Sequence, residues 1–85
     1  MIKIDAVFTV ADGMSPDIAA RLAQHADRYK ANLKLEYEGK CICLDSLIGI
    51  LSLTFNRGTQ IVVIADGEDE QQAAEDILHV LNGDN

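Results

Sequence analysis

Leu44-Asp45-Ser46-Leu47-Ile48-Gly49-Ile50-Leu51-Ser52-Leu53, running on to Arg57-Gly58, reads as a short, greasy helix set between two stretches of strand pattern. Ser46 stands where the helix begins, and its hydroxyl is placed to accept from the free backbone N–H groups of the first turn. Leu47, Ile48, Ile50, Leu51 and Leu53 come close behind it, and one short helix cannot turn all of them toward a single core. Ile50 and Leu53, three apart, suit the core. Leu47, Ile48 and Leu51 are left as a broad patch beside Ser46, a surface suited to docking. The helix is expected to end near Asn56-Arg57-Gly58, with glycine supplying a left-handed turn.

Working outward, Lys40 to Leu44 reads as a strand, joined by a Glu38-Gly39 turn to another in which Leu33 and Leu35 alternate with Lys34 and Glu36. Thr59 to Ala65 is β-branched and almost continuously apolar, which marks a central strand. Ile2, Ile4, Ala6 and Phe8 alternate with Lys3, Asp5, Val7 and Thr9, so the chain also opens on a half-buried strand. Asp12-Gly13 breaks it. Ser15-Pro16-Asp17 then starts a helix with a serine cap, proline at the first position and an acid at the positive end of the dipole. Ile18, Leu22, Ala26 and Tyr29 continue it at helical spacing. Asp66-Gly67 turns the chain once more. Asp69 and Glu70 open a last helix with Ala73, Ala74, Ile77, Leu78 and Leu81 inward, His79 near its negative end and Gly83 as its stop. The order is β-α-β-β-α-β-α, an α+β domain in which three helices cover one face of a four-stranded antiparallel sheet.

At 85 residues the chain makes one domain, 1–85, near the lower limit for a core that stands unaided. Its 48% hydrophobic content fits a globular fold. A formal net charge of −7 weighs against nucleic acid and anionic membrane surfaces as partners. The longest purely apolar run, Ile61 to Ala65, is far too short to span a bilayer, and a charged N-terminus makes a poor leader, so a cytoplasmic protein is expected. Cys41 and Cys43 are two apart in one strand, where they share a face and cannot close an unstrained bridge; two small reduced side chains are expected. With only His25 and His79 to join them, on separate helices, neither a metal site nor a cofactor is read here.

Several positions match a known family. Gly13, Ala19, Leu22, Tyr29, Leu35-Glu36, Gly39-Lys40, Ser46, Gly49, Ser52-Leu53, Gly58 and Gly67 fall at ungapped spacing from the first loop to the last helix. The chain resembles the HPr family, the small phosphocarrier proteins of the bacterial sugar phosphotransferase system, and the resemblance implies that family's open-faced sandwich. The same resemblance sets the chain apart at one site. Where the family carries its phosphoacceptor histidine, an arginine and a proline, this chain has Ser15, Asp17 and Ile18. A phosphocarrier must hold phosphate on nitrogen for ready onward transfer, and a serine ester cannot pass it on. Arginine would grip the phosphate as a planar fork, whereas Asp17 repels it. Asp12 and Asp17 also place acid on the rim that family members use to meet acidic partners. Ser15 is explained by capping alone.

The second helix keeps more of the family pattern. Ser46 corresponds to the regulatory serine and is the phosphorylation candidate; Leu47, Ile48 and Leu51 correspond to the partner-binding patch. The resemblance therefore implies a non-enzymatic regulatory or adaptor protein of Crh type, a branch without the acceptor histidine. Its partner would be a protein, such as a transcriptional regulator or a serine kinase specific for HPr. Asp45 departs from the family, since its charge adjoins the point of phosphorylation. Two other readings stand beside this one: a phosphocarrier with an unconventional acceptor, and an interaction module that keeps only the fold. Oligomeric state is not fixed by the sequence.

Overall fold

A computed structural model describes residues 1–9, 15–53 and 56–82. Asp12, Gly13 and Gly83, which the sequence pattern assigns to turns, lie outside the described residues. The elements run β1 (Ile2–Val7), α1 (Pro16–Ala26), β2 (Asn32–Tyr37), β3 (Lys40–Cys43), α2 (Leu47–Leu51), β4 (Gln60–Asp66) and α3 (Glu70–Leu81). This is the expected order. The strands form one sheet in the order β1-β4-β2-β3, with every neighbouring pair antiparallel.

The apolar β4 lies between β1 and β2, as its continuous run of apolar residues requires. Alternation then assigns the two sides of the sheet. Ile4, Val63, Leu35 and Ile42 are matched across the strands, Val63 and Leu35 within the core and Ile4 and Ile42 packed half-buried against it, with Ala65 beside Ile2 and Leu33. Against this side pack Ile18, Ala19 and Leu22 of α1, Ile50 of α2, and Ala73, Ala74, Ile77, Val80 and Leu81 of α3. All three helices thus share one face. The alternate strand positions look away from them, and Lys3, Asp5, Val7, Glu36, Cys41 and Cys43 are exposed. Both thiols are free, as the strand spacing predicts.

One expectation needs correction. The second helix does not run to the Asn56-Arg57-Gly58 segment; it stops at Leu51, where Ser52 closes it by donating its N–H to Ile48 and Gly49 carbonyls and its hydroxyl to the Gly49 carbonyl at 2.6 Å. A single turn with a glycine in its middle has little intrinsic helical stability, so packing sets its length. Gly58 does adopt left-handed φ, 93°, but it serves the entry to β4: its N–H donates to the Phe8 carbonyl at 2.8 Å. Asp69 and Glu70 open α3 as the sequence pattern predicts. Asp69 occupies the N-cap of α3 yet makes no side-chain cap bond there. Its carboxylate instead accepts the N–H groups of Lys30 at 2.9 Å and Ala31 at 2.8 Å, tying the loop before β2 to the start of α3. Glu70 supplies the local contact, accepting from the Gly67 N–H at 3.3 Å.

Candidate functional site

The candidate surface begins at Ser46. Its backbone is extended, φ −111° and ψ 104°, so the hydroxyl turns back over the first turn of α2 and accepts from the Gly49 N–H at 3.1 Å. Its carbonyl starts the helix by accepting from the Ile50 N–H at 2.9 Å. Gly49 stands at a close approach. A Cβ there would sit 3.1 Å from Ile42 Cγ2 and 3.2 Å from the Ser46 hydroxyl oxygen, crowding both the β3 contact and the cap. Glycine lets this one-turn helix lie close on the hairpin.

The split among the apolar residues agrees with the helical spacing. Ile50 is fully buried and Leu53 is 6% exposed, whereas Leu47 is 45%, Leu51 43% and Ile48 84% exposed. Ser46 and Asp45 are exposed beside them. The arrangement is a small apolar patch with a hydroxyl and one carboxylate at its edge.

Ser15 is placed differently. Its hydroxyl accepts from the Ile18 N–H at 3.3 Å and its carbonyl from the Ala19 N–H at 2.9 Å, with Pro16 as the first residue of α1. Asp17 is exposed in that first turn, while Ile18 and Ala19 are buried. Ser15 is therefore engaged as a cap, with a carboxylate two residues on and no guanidinium in the turn.

Sequence reasoning missed a tie between α1 and α3. His25, mid-helix by its sequence position, stands in the last turn of α1. Its Nδ1 lies 2.9 Å from Asp76 Oδ2, and the Tyr29 hydroxyl donates to the same oxygen at 2.9 Å. Burial pushes the Asp76 pKa up, but the hydrogen bonds from His25 and Tyr29 and the charge on His25 outweigh it, leaving the carboxyl below its ordinary value. Burial and the bond to Asp76 raise the Tyr29 pKa. The spacing of His25 and Tyr29, one helical turn apart, was the available signal. Among the described residues no group of three or more His, Cys, Asp or Glu side chains could hold a metal, and no helix is long and apolar enough to cross a membrane.

The fold has counterparts among known proteins. Residues 2–83 match the family model described as the PTS HPr component phosphorylation site, and the chain belongs to the HPr family. It is 40% identical over 63 residues to the HPr-like protein Crh of Bacillus subtilis, covering 74% of each chain. Its structure superposes on the phosphocarrier protein HPr of Bacillus anthracis with a TM-score of 0.88 at 26% identity, over 94% of this chain and 95% of that one. The crystal structure of Bacillus subtilis Crh, a dimer with swapped domains, gives a TM-score of 0.80 at 30% identity over 100% and 98% of the two chains.

Proposed function

We propose that this protein is a non-enzymatic regulatory member of the HPr family, of Crh type. It acts in the cytoplasm by presenting Leu47, Ile48 and Leu51 beside Ser46 to a protein partner. The observation that carries the reading is the exposure of those three side chains on a helix whose remaining large apolar residue, Ile50, is fully buried. A folded domain gains nothing in stability from an isoleucine left 84% exposed, and such exposure marks contact surfaces. A transcriptional regulator and a serine kinase specific for HPr are the partner classes that suit it.

Ser15 and Asp17 support removal from the phosphoryl relay. An alkyl phosphate at Ser15 would be a stable ester, and it would displace the Ile18 N–H bond that starts α1. Asp17 would oppose both the bound phosphate and an approaching donor. His25 offers no substitute, because it stands at the carbonyl end of α1 and is held by Asp76.

Ser46 is the regulatory phosphorylation site in this reading. A phosphate there would replace the neutral hydroxyl as acceptor for the Gly49 N–H and place negative charge at the edge of the apolar patch. A five-residue helix contributes little dipole, and Asp45 adds repulsion, so the local N–H groups carry the stabilisation.

Two measurements test the proposal. Incubation with phosphoenolpyruvate and enzyme I should leave the chain unlabelled; stoichiometric, acid-labile label would instead identify a phosphocarrier with an unconventional acceptor. Ile48→Glu should abolish capture by the regulator while leaving the fold intact. Undiminished capture would remove the patch from consideration.

A further inference from the structure

We propose that the helix-free face of the sheet is a self-association surface, occupied by the same face of a second copy after a half-turn about an axis lying across the strands. The registers of the four strands carry the inference. Across the outward side, one rung is Lys3, Ile64, Lys34 and Cys43; the next is Asp5, Val62, Glu36 and Cys41. Both charges of the first rung are cationic and both of the second are anionic. A half-turn exchanges the two rungs. Lys3 then faces Asp5 of the second copy, Lys34 faces Glu36, and Ile64 faces Val62.

Each strand repeats this symmetry along its own length. Outward along β1 the side chains run Lys3, Asp5, Val7, with exposed Met1 continuing the alternation, so an apolar residue stands at each end of a cation–anion pair. Outward along β4 they run Gln60, Val62, Ile64, Asp66, with apolar residues in the middle and polar ones at the ends. Reversal of direction brings Met1 over Val7 and the polar ends of β4 over each other. A surface that complements itself under a half-turn is what a two-fold contact needs.

The relief of the face agrees with the charges. Ile64 is only 8% exposed although it lies outside the core cluster, and its cross-strand neighbours Lys3 and Lys34 are the residues whose aliphatic stems can cover it. One rung away the surface opens into a hollow of about 440 Å³ whose lining includes Val62, Gln60, Asp5, Glu36 and Glu38. A cationic rung beside an acid-lined hollow fits a partner that presents the same two features in reverse order. A uniformly basic partner would meet the lysines, and a uniformly acidic one the carboxylates. A second copy satisfies both rungs at once. Sheets pack face to face at about 10 Å, close enough for the lysines to reach the opposite carboxylates. The Ser46 patch belongs to the helical layer and stays open in such a dimer, so this inference stands apart from the proposed function.

The test is sedimentation velocity of the full chain with reversed charges. The unmodified chain should associate as a dimer in a concentration-dependent way. Lys34→Glu and Glu36→Lys, each alone, set like charges against each other twice, so each should weaken association about 100-fold or more. An equimolar mixture of the two should restore dimers, because every contact then joins opposite charges, and the double variant in one chain should do the same. Both positions lie away from the core, and circular dichroism verifies folding. Should a reversed chain fail to fold, Cys41→Ser and Cys43→Ser offer an independent measurement. A short bifunctional thiol reagent should join chains faster in the mixture than in either variant alone, since Cys43 faces Cys41. A monomer at every concentration overturns the proposal. So does a dimer unaffected by the single reversals, as a strand-swapped dimer would be, or equal crosslinking in pure and mixed samples.

Discussion

Ser15 and Ser46 begin α1 and α2 with nearly the same cap. Both backbones are extended, both hydroxyls accept from the N–H three residues on, at 3.3 and 3.1 Å, and both carbonyls take the next N–H at 2.9 Å. The helices behind the two caps differ. Ser15 leads into proline and an eleven-residue helix whose apolar side is buried; Ser46 leads into five residues that leave three large apolar side chains in solvent. A serine cap is thus silent about function. Its neighbours carry the distinction: large apolar side chains stand exposed behind one cap and are buried behind the other.

The largest effect expected from breaking this comparison lies within α2 itself. Ile50→Glu should cost several kcal/mol and unfold much of the population, because it buries a carboxylate in a fully enclosed site. A urea midpoint close to that of the unmodified chain would show that α2 is not packed as described. Next in size, Ser15→Ala should lower stability by about 1 kcal/mol, and Ser46→Ala by only a few tenths, since the second cap holds a single turn. Equal losses in chemical denaturation would mean that helix length is irrelevant to what a cap contributes here.

A third cap sharpens the contrast through pH. Serine hydroxyls do not titrate in the physiological range, so neither serine cap responds to acid. Asp69 does, because its carboxylate spans to another loop. The N–H of Lys30 is the main cause holding its pKa below the ordinary value, with Ala31 adding to it against the opposing effect of burial. A carboxyl with a depressed folded pKa contributes stability above its unfolded pKa, about 3.9, and loses it as pH falls through the folded value. Asp76 acts with the same sign. Asp69→Ala should therefore be less stable than the unmodified chain at pH 7, with the gap closing as acid is added below about pH 4. A gap independent of pH would assign the loss to something other than the charge. At the bottom of the scale, Ile48→Glu should change the unfolding free energy by less than about 0.5 kcal/mol, one tenth or so of the Ile50→Glu effect.

The architecture was legible because alternation in Ile2–Val7, the Leu33–Tyr37 hairpin arm and the apolar Ile61–Ala65 run each force one assignment. Ser15-Pro16-Asp17 announced α1 in the same way. The division of Ile50 and Leu53 from Leu47, Ile48 and Leu51 came from helical spacing alone. The length of α2 was not legible, since a serine after Leu51 does not by residue type alone announce a helix end, and packing decides whether its closing bonds form. Asp69 was legible as an opener of α3, but its bonding partners were not, since they lie 38 and 39 positions away. The His25–Asp76–Tyr29 tie and the rungs of the open face depend on docking and register between distant elements, which residue types along one strand do not specify.

The reach of Asp69 also sets a clock that can be read one proton at a time. The amides of Lys30 and Ala31 sit between α1 and β2, where an ordinary loop would surrender its protons to water quickly. Held at 2.9 and 2.8 Å by a carboxylate at the start of α3, they exchange with solvent when the Asp69 side chain lets go. The hydrogen-exchange rates of these two amides thus report how often this single side-chain link opens, in a chain that is otherwise fully folded.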